Sequence, residues 1–214
     1  MNRVRVKVCG ITRAEDVRAA IAVGVDVLGF NLAAGPRRLA CDQAAALARL
    51  VPPSLGVVAL VMDQDLEPTL DLVARLRATA VQLHGDEPPE LAEALARRVP
   101  VIKAFRIRAA ADLHAALAYP ADALLFDAWV ATVAGGSGCS WDHRLLQGLT
   151  IDRPWILAGG IRPENAAEAV ATLRPWAIDV ASGVEEDGRP GCKCPQRLAA
   201  LMAAVEEGSC RISR

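Results

Sequence analysis

The chain has 214 residues, of which 53% are hydrophobic and 4% aromatic, and this length suits one ordinary domain or a short barrel. Its 24 basic and 25 acidic residues give a net charge of −1, which argues against nucleic acid and against an anionic membrane as partners. No apolar run reaches the ~20 residues that cross a bilayer, and no signal-peptide pattern opens the chain, so we expect a cytoplasmic protein.

Eight short apolar runs follow one another along the chain, separated by turns and by segments with helical spacing. The runs are nearly continuous in apolar character, as strands buried on both faces should be. They are Val4–Val8, Val27–Asn31, Val57–Met62, Ala80–His84, Val101–Arg106, Ala123–Asp127, Trp155–Ala158 and Ala177–Ala181.

The segments between the runs carry helix signals. In the first segment, Val17 and Ala20 fall on one helical face. The stretch Thr12–Glu15 has the spacing of a capping box, which predicts the start of that helix. Pro88 and Pro163 suit the first turns of two later helices.

Eight strand–helix units predict an α/β fold, a single (β/α)₈ TIM barrel that spans residues 1–214, with an end that frays after about Glu207. The alternative is an open doubly wound sheet. The barrel is favoured because the units are regular and because no Gly-x-Gly-x-x-Gly pattern follows the first strand.

Catalytic groups of a barrel lie at the carboxyl ends of its strands and in the loops that follow. We therefore expect the side chains at these positions to share one mouth. The positions are Cys9, Asn31, Met62, Asp63, His84, Arg106, Asp127, Gly159, Gly160, Ser182 and Gly183.

Two of these residues, Cys9 and Asp127, carry side chains that can move protons. A helix N-terminus beside Cys9 would lower the pKa of the thiol and favour the reactive thiolate; alternatively, Cys9 is a small buried hydrophobe. Asp127 ends an apolar strand, so desolvation would raise its pKa towards that of a general acid; alternatively, it caps a helix or forms a surface salt bridge. Together the pair suits an isomerase.

Glycine-rich turns follow the seventh and eighth strands, at Gly159-Gly160 and Ser182-Gly183. Glycine lets backbone N–H groups approach an anion closely, and barrels often bind phosphate between these two loops. We therefore predict a phosphate site here. The alternative is two ordinary turns that use glycine.

Three further positions are candidates for substrate binding. His84 is expected to line the pocket, and Arg37 or Arg38 to hold a substrate carboxylate. Asp179 is expected to point into the barrel mouth or to fix a neighbour. The segment Cys192–Cys194 lacks the ligand spacing of a zinc site, so we predict no metal.

Six short motifs occur in order within residues 4–206, nearly the whole chain. They are Lys7–Thr12, Leu28–Phe30, Val81–Glu87, Ile102–Arg106, Leu157–Gly160 and Asp179–Glu185. Together they resemble the motifs of phosphoribosylanthranilate isomerase, the tryptophan-pathway enzyme. The resemblance implies a (β/α)₈ barrel that uses no cofactor and no metal. It also implies an Amadori rearrangement of N-(5′-phosphoribosyl)anthranilate to 1-(2-carboxyphenylamino)-1-deoxyribulose 5-phosphate.

Residue roles follow from the same resemblance. Cys9 would be the general base that takes the proton from ribose C2′, and Asp127 the general acid that protonates the ring oxygen. An arginine after strand two would bind the anthranilate carboxylate, and Asp179 would accept a hydrogen bond from the amine. The residues implied in phosphate binding are Gly160, Ser182 and Gly183.

The chain departs from the family pattern in three places. After strand two, a gapless alignment favours Arg38 as the carboxylate-binding residue, whereas matching the proline favours Arg37; we prefer Arg38. After strand six, Ser137 and Cys139 stand where threonine and lysine are frequent, and Cys139 loses a cation. Ala181 replaces a common serine beside the phosphate site.

Two other functions remain open. One is a related phosphate-binding barrel enzyme, a histidine-pathway aminoaldose isomerase or an indole-3-glycerol phosphate synthase, although these use an aspartate or a lysine where Cys9 stands. The other is a non-catalytic phosphate-binding barrel. We expect the partner to be a phosphorylated small molecule and the protein to be a monomer or homodimer.

Overall fold

A computed structural model describes residues 3–107, 110–128, 146 and 151–212. Within these residues, eight parallel strands pair with their neighbours in chain order. The strands are β1 (Arg5–Cys9), β2 (Val27–Asn31), β3 (Gly56–Val61), β4 (Ala80–Leu83), β5 (Val101–Ile107), β6 (Ala123–Ala128), β7 (Trp155–Ala158) and β8 (Ala177–Val180). Because β1 also pairs with β8, the sheet closes into a ring. The barrel prediction is confirmed, and the open sheet is excluded.

The described residues form seven helices around this ring. They are α1 (Ala14–Ala22), α2 (Cys41–Ala48), α3 (Leu66–Leu76), α4 (Pro89–Ala96), α5 (Ala110–Ala118), α6 (Pro163–Leu173) and α7 (Pro195–Ile212). Several inner helix faces are made of alanine, as in α2, where Ala44, Ala45 and Ala48 are buried. Small inner residues let these helices pack closely on the sheet. None of the described helices is long and apolar enough to cross a membrane.

The start of α1 differs from the sequence prediction. The helix begins after Arg13, and no side-chain cap is formed there. Thr12, which was expected to cap the helix, donates its hydroxyl to the carbonyl of Gly191 at 2.6 Å. A tertiary hydrogen bond has therefore replaced the local cap.

The C-terminal helix also differs from expectation, because α7 continues to Ile212 rather than fraying after Glu207. Ser209 lies within this extension and is buried. Its hydroxyl accepts a hydrogen bond from the backbone N–H of Val4 at 3.0 Å. The end of the helix is thus fastened to the segment that leads into β1.

The inside of the ring is packed with apolar side chains below its mouth. This layer includes Val58, Ile102, Leu125 and Ile156. Lys7 and Asp179 are also buried and form an ion pair of 2.9 Å between Nζ and Oδ1. A buried charge is costly unless it is paired, so each of these groups offsets the cost of burying the other.

Candidate active site

A cavity of about 470 Å³ opens at the carboxyl ends of the strands. It brings together nine of the predicted strand-end residues: Cys9, Asn31, Met62, His84, Arg106, Asp127, Gly159, Gly160 and Ser182. Asp179 lines it as well. Two predicted positions lie outside it, because Asp63 lines a neighbouring cavity and Gly183 lines an outer cleft. One mouth therefore holds most of the candidate site.

The thiol of Cys9 lies close to the ammonium group of Lys7. A Cβ atom built on Gly29 would be 3.1 Å from Cys9 Sγ and 3.1 Å from Lys7 Nζ. The thiol and the ammonium group thus converge beside Gly29 of β2, and a side chain at this position would force both groups to shift by a few tenths of an ångström.

The electrostatic surroundings of Cys9 differ from the expectation of a lowered pKa. Burial raises the pKa of the thiol above its usual value, and the ammonium groups of Lys7 and Lys193 only partly oppose the rise. Burial alone would lower the pKa of Lys7, but Asp179 and Cys9 raise it overall, so Lys7 stays charged. The expectation was wrong because desolvation of the thiol outweighs the positive charges around it.

Asp127 lies at the end of β6 with about a third of its side chain exposed, 34%. Burial, and then the negative charge of Asp179, raises the pKa of Asp127 to about 6, although Arg106 opposes the shift. The direction is the one that desolvation at the end of an apolar strand predicts. A carboxyl group with this pKa is partly protonated near neutral pH and can act as a general acid.

His84 faces Asp127 across the mouth, with 3.8 Å between Nε2 and Oδ2. On its other side, Nδ1 lies 2.9 Å from the amide nitrogen of Gln82. This contact fixes the imidazole ring beside Gln82. Burial lowers the pKa of His84, which favours the neutral ring. The residue lines the cavity, in agreement with a pocket-lining role.

Arg37, and not Arg38, reaches the cavity. Arg37 lines the wall, whereas Arg38 is exposed at the surface. The side chain of Arg37 crosses the turn after Cys9 at Gly10, where a Cβ would lie 2.4 Å from Arg37 Cδ and φ is +70°. Only glycine permits both this backbone conformation and this approach. Arg38, which the gapless alignment prefers, lies outside the cavity, so the geometry favours Arg37 as the candidate for the carboxylate.

The two glycine-rich loops meet at one side of the cavity. Gly160 and Ser182 line both the cavity and the outer cleft, and Gly159 lines the cavity. A Cβ on Gly183 would lie 2.0 Å from the carbonyl oxygen of Ile161, so the loops touch backbone to backbone there. The residues predicted to bind phosphate thus lie where these loops meet, with Gly183 on the side of the outer cleft, and the lack of a side chain at Gly183 lets the loops approach this closely.

Several residues around this mouth were not among the predicted site residues. Lys7 and Gln82 each lie two positions before a recognised residue on the same strand, and residues two apart share a strand face. That spacing could have found them. Glu185 ends the motif Asp179–Glu185, but its partner Lys193, at 2.8 Å, carried no comparable local signal.

The segment Cys192–Cys194 forms part of the loop before α7, with Lys193 buried. In the part of the chain that the structure describes, no group of His, Cys, Asp and Glu side chains could hold a metal ion. Ser137 and Cys139 lie outside the described residues.

Comparison with known proteins places the chain in one family. The family model of N-(5′-phosphoribosyl)anthranilate isomerase matches residues 6–201. The N-(5′-phosphoribosyl)anthranilate isomerase of Moorella thermoacetica is 41% identical over 206 residues, covering 95% of this chain and 90% of the relative.

Solved structures agree with the sequence comparison. The phosphoribosyl anthranilate isomerase of Thermotoga maritima has a TM-score of 0.88 at 34% identity, over 95% of this chain and 98% of its own. A phosphoribosyl anthranilate isomerase in complex with reduced 1-(o-carboxyphenylamino)-1-deoxyribulose 5-phosphate has a TM-score of 0.83 at 31% identity, with the same coverage. The barrel, the cavity and these matches lead to one conclusion: the chain belongs to the phosphoribosylanthranilate isomerase family.

Proposed function

We propose that the protein converts N-(5′-phosphoribosyl)anthranilate to 1-(2-carboxyphenylamino)-1-deoxyribulose 5-phosphate by an Amadori rearrangement, a step of tryptophan biosynthesis. The observation that carries the proposal is the sharing of one cavity by Cys9, Asp127 and the glycine-rich loops of β7 and β8. The reaction needs an acid, a base and an anchor for phosphate. Family membership supports the same reaction.

The first step opens the sugar ring. Protonated Asp127 gives its proton to the furanose oxygen, the bond between C1′ and that oxygen breaks, and the nitrogen lone pair forms an iminium. With a pKa of about 6, roughly a tenth of Asp127 is protonated at pH 7. His84 lies beside the same carboxyl group, with 3.8 Å between Nε2 and Oδ2.

The second step removes the proton from C2′. The thiolate of Cys9 takes this proton, and the electrons of the C–H bond neutralise the iminium to give an enolamine, which tautomerises to the aminoketone. Burial disfavours the thiolate, and the ammonium group of Lys7 favours it. Lys7 therefore supplies the charge that makes Cys9 usable as a base in a desolvated site.

Both ends of the substrate have anchors in this arrangement. Backbone N–H groups of Gly159, Gly160 and Ser182 bind the phosphate, and Arg37 binds the anthranilate carboxylate. Asp179 accepts a hydrogen bond from the anthranilate amine while it keeps its ion pair with Lys7. We further propose a cytoplasmic monomer or homodimer.

The test is turnover by the purified protein of N-(5′-phosphoribosyl)anthranilate generated in place, followed by the loss of anthranilate fluorescence. We expect turnover without added metal or cofactor, and growth of a tryptophan auxotroph that lacks this step. Binding of the substrate without turnover would instead support a non-catalytic barrel. Turnover of an aminoaldose from histidine biosynthesis, with none of the anthranilate compound, would support the rival isomerase.

The phosphate anchor can be tested at Gly160, whose φ is +66° and whose Cβ would enter open space. Gly160→Asn and Gly160→Asp impose similar backbone strain, since both residues tolerate this region, but only aspartate adds negative charge. We expect the KM of the aspartate variant to exceed that of the asparagine variant about tenfold. Equal KM values in steady-state assays would place the phosphate elsewhere.

A further inference from the structure

Glu185 is a buried carboxylate that four hydrogen bonds surround. Arg37 donates from Nε at 2.7 Å and from Nη2 at 2.6 Å. Lys193 Nζ donates at 2.8 Å and the backbone N–H of Gly191 at 2.9 Å. Burial alone would raise the pKa of Glu185, but the hydrogen bonds from Arg37 and Lys193 lower it to about 2. The residue is ionised at every physiological pH.

The contact with Glu185 uses one specific edge of the Arg37 guanidinium. Nε and Nη2 form the side edge, and both donate to the two carboxylate oxygens. A guanidinium has five N–H groups in a fixed plane, so three remain, on Nη1 and on the outer side of Nη2. They form the end edge, which can bind a second carboxylate with two parallel hydrogen bonds.

Lys193 compensates for the negative charge that Glu185 places beside the proposed site for the substrate carboxylate. Glu185 alone would cancel the charge of Arg37, but Lys193 adds a buried ammonium to the same cluster. Burial lowers the pKa of Lys193, and Glu185 opposes this change. Arg37 and the ammonium form of Lys193 together exceed the single negative charge of Glu185 by one, so the cluster attracts an anionic ligand.

Lys193 also joins this cluster to the phosphate side of the cavity. Its Nζ donates to the carbonyl of Ala181 at 3.0 Å, and Ala181 directly precedes Ser182 of the glycine-rich loop after β8. One buried ammonium thus contacts both the carboxylate that holds Arg37 and the loop beside the phosphate anchor.

We propose that Glu185 is a positioning residue, which turns the end edge of Arg37 towards the carboxylate of the substrate, and that Lys193 offsets its charge. This inference rests on the proposed function, in which Arg37 binds that carboxylate. It also gives an electrostatic role to Lys193, the central residue of the segment Cys192–Cys194.

The decisive variant is Glu185→Gln, because the loss of charge and the loss of Arg37 positioning predict opposite changes in KM. Removing a negative charge near an anionic ligand would lower KM if electrostatics alone mattered. A glutamine offers one acceptor oxygen instead of two, and its amide nitrogen cannot accept, so the two parallel hydrogen bonds that fix the orientation of Arg37 are lost. We expect KM to rise about tenfold with kcat changed less than threefold. An unchanged or lower KM would overturn the proposal. Glu185→Asp keeps the charge but withdraws it by one methylene, and the same rise is expected.

A matched pair of ligands separates positioning from general damage to the fold. Calorimetry would compare reduced 1-(o-carboxyphenylamino)-1-deoxyribulose 5-phosphate with its anilino counterpart, which lacks the carboxylate. We expect Glu185→Gln to weaken binding of the first ligand about tenfold and to leave binding of the second unchanged. Equal weakening of both ligands would reduce Glu185 to a structural role and overturn the inference.

The Arg37→Ala background shows whether Glu185 acts through Arg37. In that background, Glu185→Gln should cause no further loss of affinity for the carboxylated ligand, and an additional loss would contradict the proposal. Failure of the proposed function gives a different result, since the unaltered protein would then turn over no N-(5′-phosphoribosyl)anthranilate.

Discussion

Replacing Cys9 with alanine is expected to lower kcat ~10²–10⁴-fold, the usual contribution of a positioned proton-transfer group. The thiol lies in the cavity beside Lys7 and Asp179, and alanine offers no atom that can accept the C2′ proton. KM should change little, because the proposed anchors for phosphate and carboxylate lie on other loops. Steady-state kinetics of the purified variant measure both quantities.

The matched control for this substitution is Cys210→Ala, the same chemical change at an exposed cysteine of α7. Its kcat should equal that of the unaltered protein. Alkylation adds a second measurement, because iodoacetamide at rising pH should abolish activity in step with ionisation of Cys9, and bound product analogue should protect. Near-normal turnover by Cys9→Ala would refute the assignment of the base.

Replacing Asp127 with asparagine is expected to lower kcat by a similar ~10²–10⁴-fold and also to change the pH profile. Catalysis needs Asp127 protonated and Cys9 ionised. The pKa of Asp127, about 6, lies below the raised pKa of Cys9. Between these two pKa values the fraction of enzyme in the required state is constant. As the pH rises by one unit, the fraction of thiolate increases tenfold and the fraction of protonated carboxyl decreases tenfold.

These protonation states determine whether kcat/KM rises or falls with pH in each part of the pH profile. Below about pH 6, kcat/KM of the unaltered protein should fall, because Asp127 is already protonated and only the thiolate is lost. In Asp127→Asn the plateau should become a slope that rises up to the pKa of Cys9. The substrate phosphate also ionises near pH 6, but the change in kcat/KM that it causes would also be seen in the variant. A plateau that survives in Asp127→Asn would contradict the assignment.

The eight strands could be predicted because a parallel strand buried on both faces has a nearly continuous apolar sequence. The run Trp155–Ala158 agrees with β7 at both ends, and Val27–Asn31 agrees with β2. Helix ends were harder to predict. Thr12 has the residue type and spacing of a cap, but its hydroxyl bonds Gly191, a residue far away in the sequence. Local propensity cannot anticipate such a contact.

Among the residues of the candidate site, too, those at strand ends could be predicted and those that depend on long-range contacts could not. Cys9 and Asp127 could be found because barrel topology alone places strand ends at one mouth. The choice between Arg37 and Arg38 could not be made, since it depends on how one side chain crosses Gly10. Glu185 lies 148 positions from its partner Arg37. Only the folded ring brings these two residues together.

The seam where β1 pairs with β8 closes the ring and also brings two charged side chains together at its centre. Lys7 and Asp179 stand opposite each other in the register of that seam and share an ion pair. A growing chain that has made only the first seven strands carries the lysine and the thiol without their anionic counterpart. Docking of β8 therefore supplies the carboxylate that offsets the cost of burying Lys7 beside the thiol, and we expect a barrel that lacks β8 to lack activity.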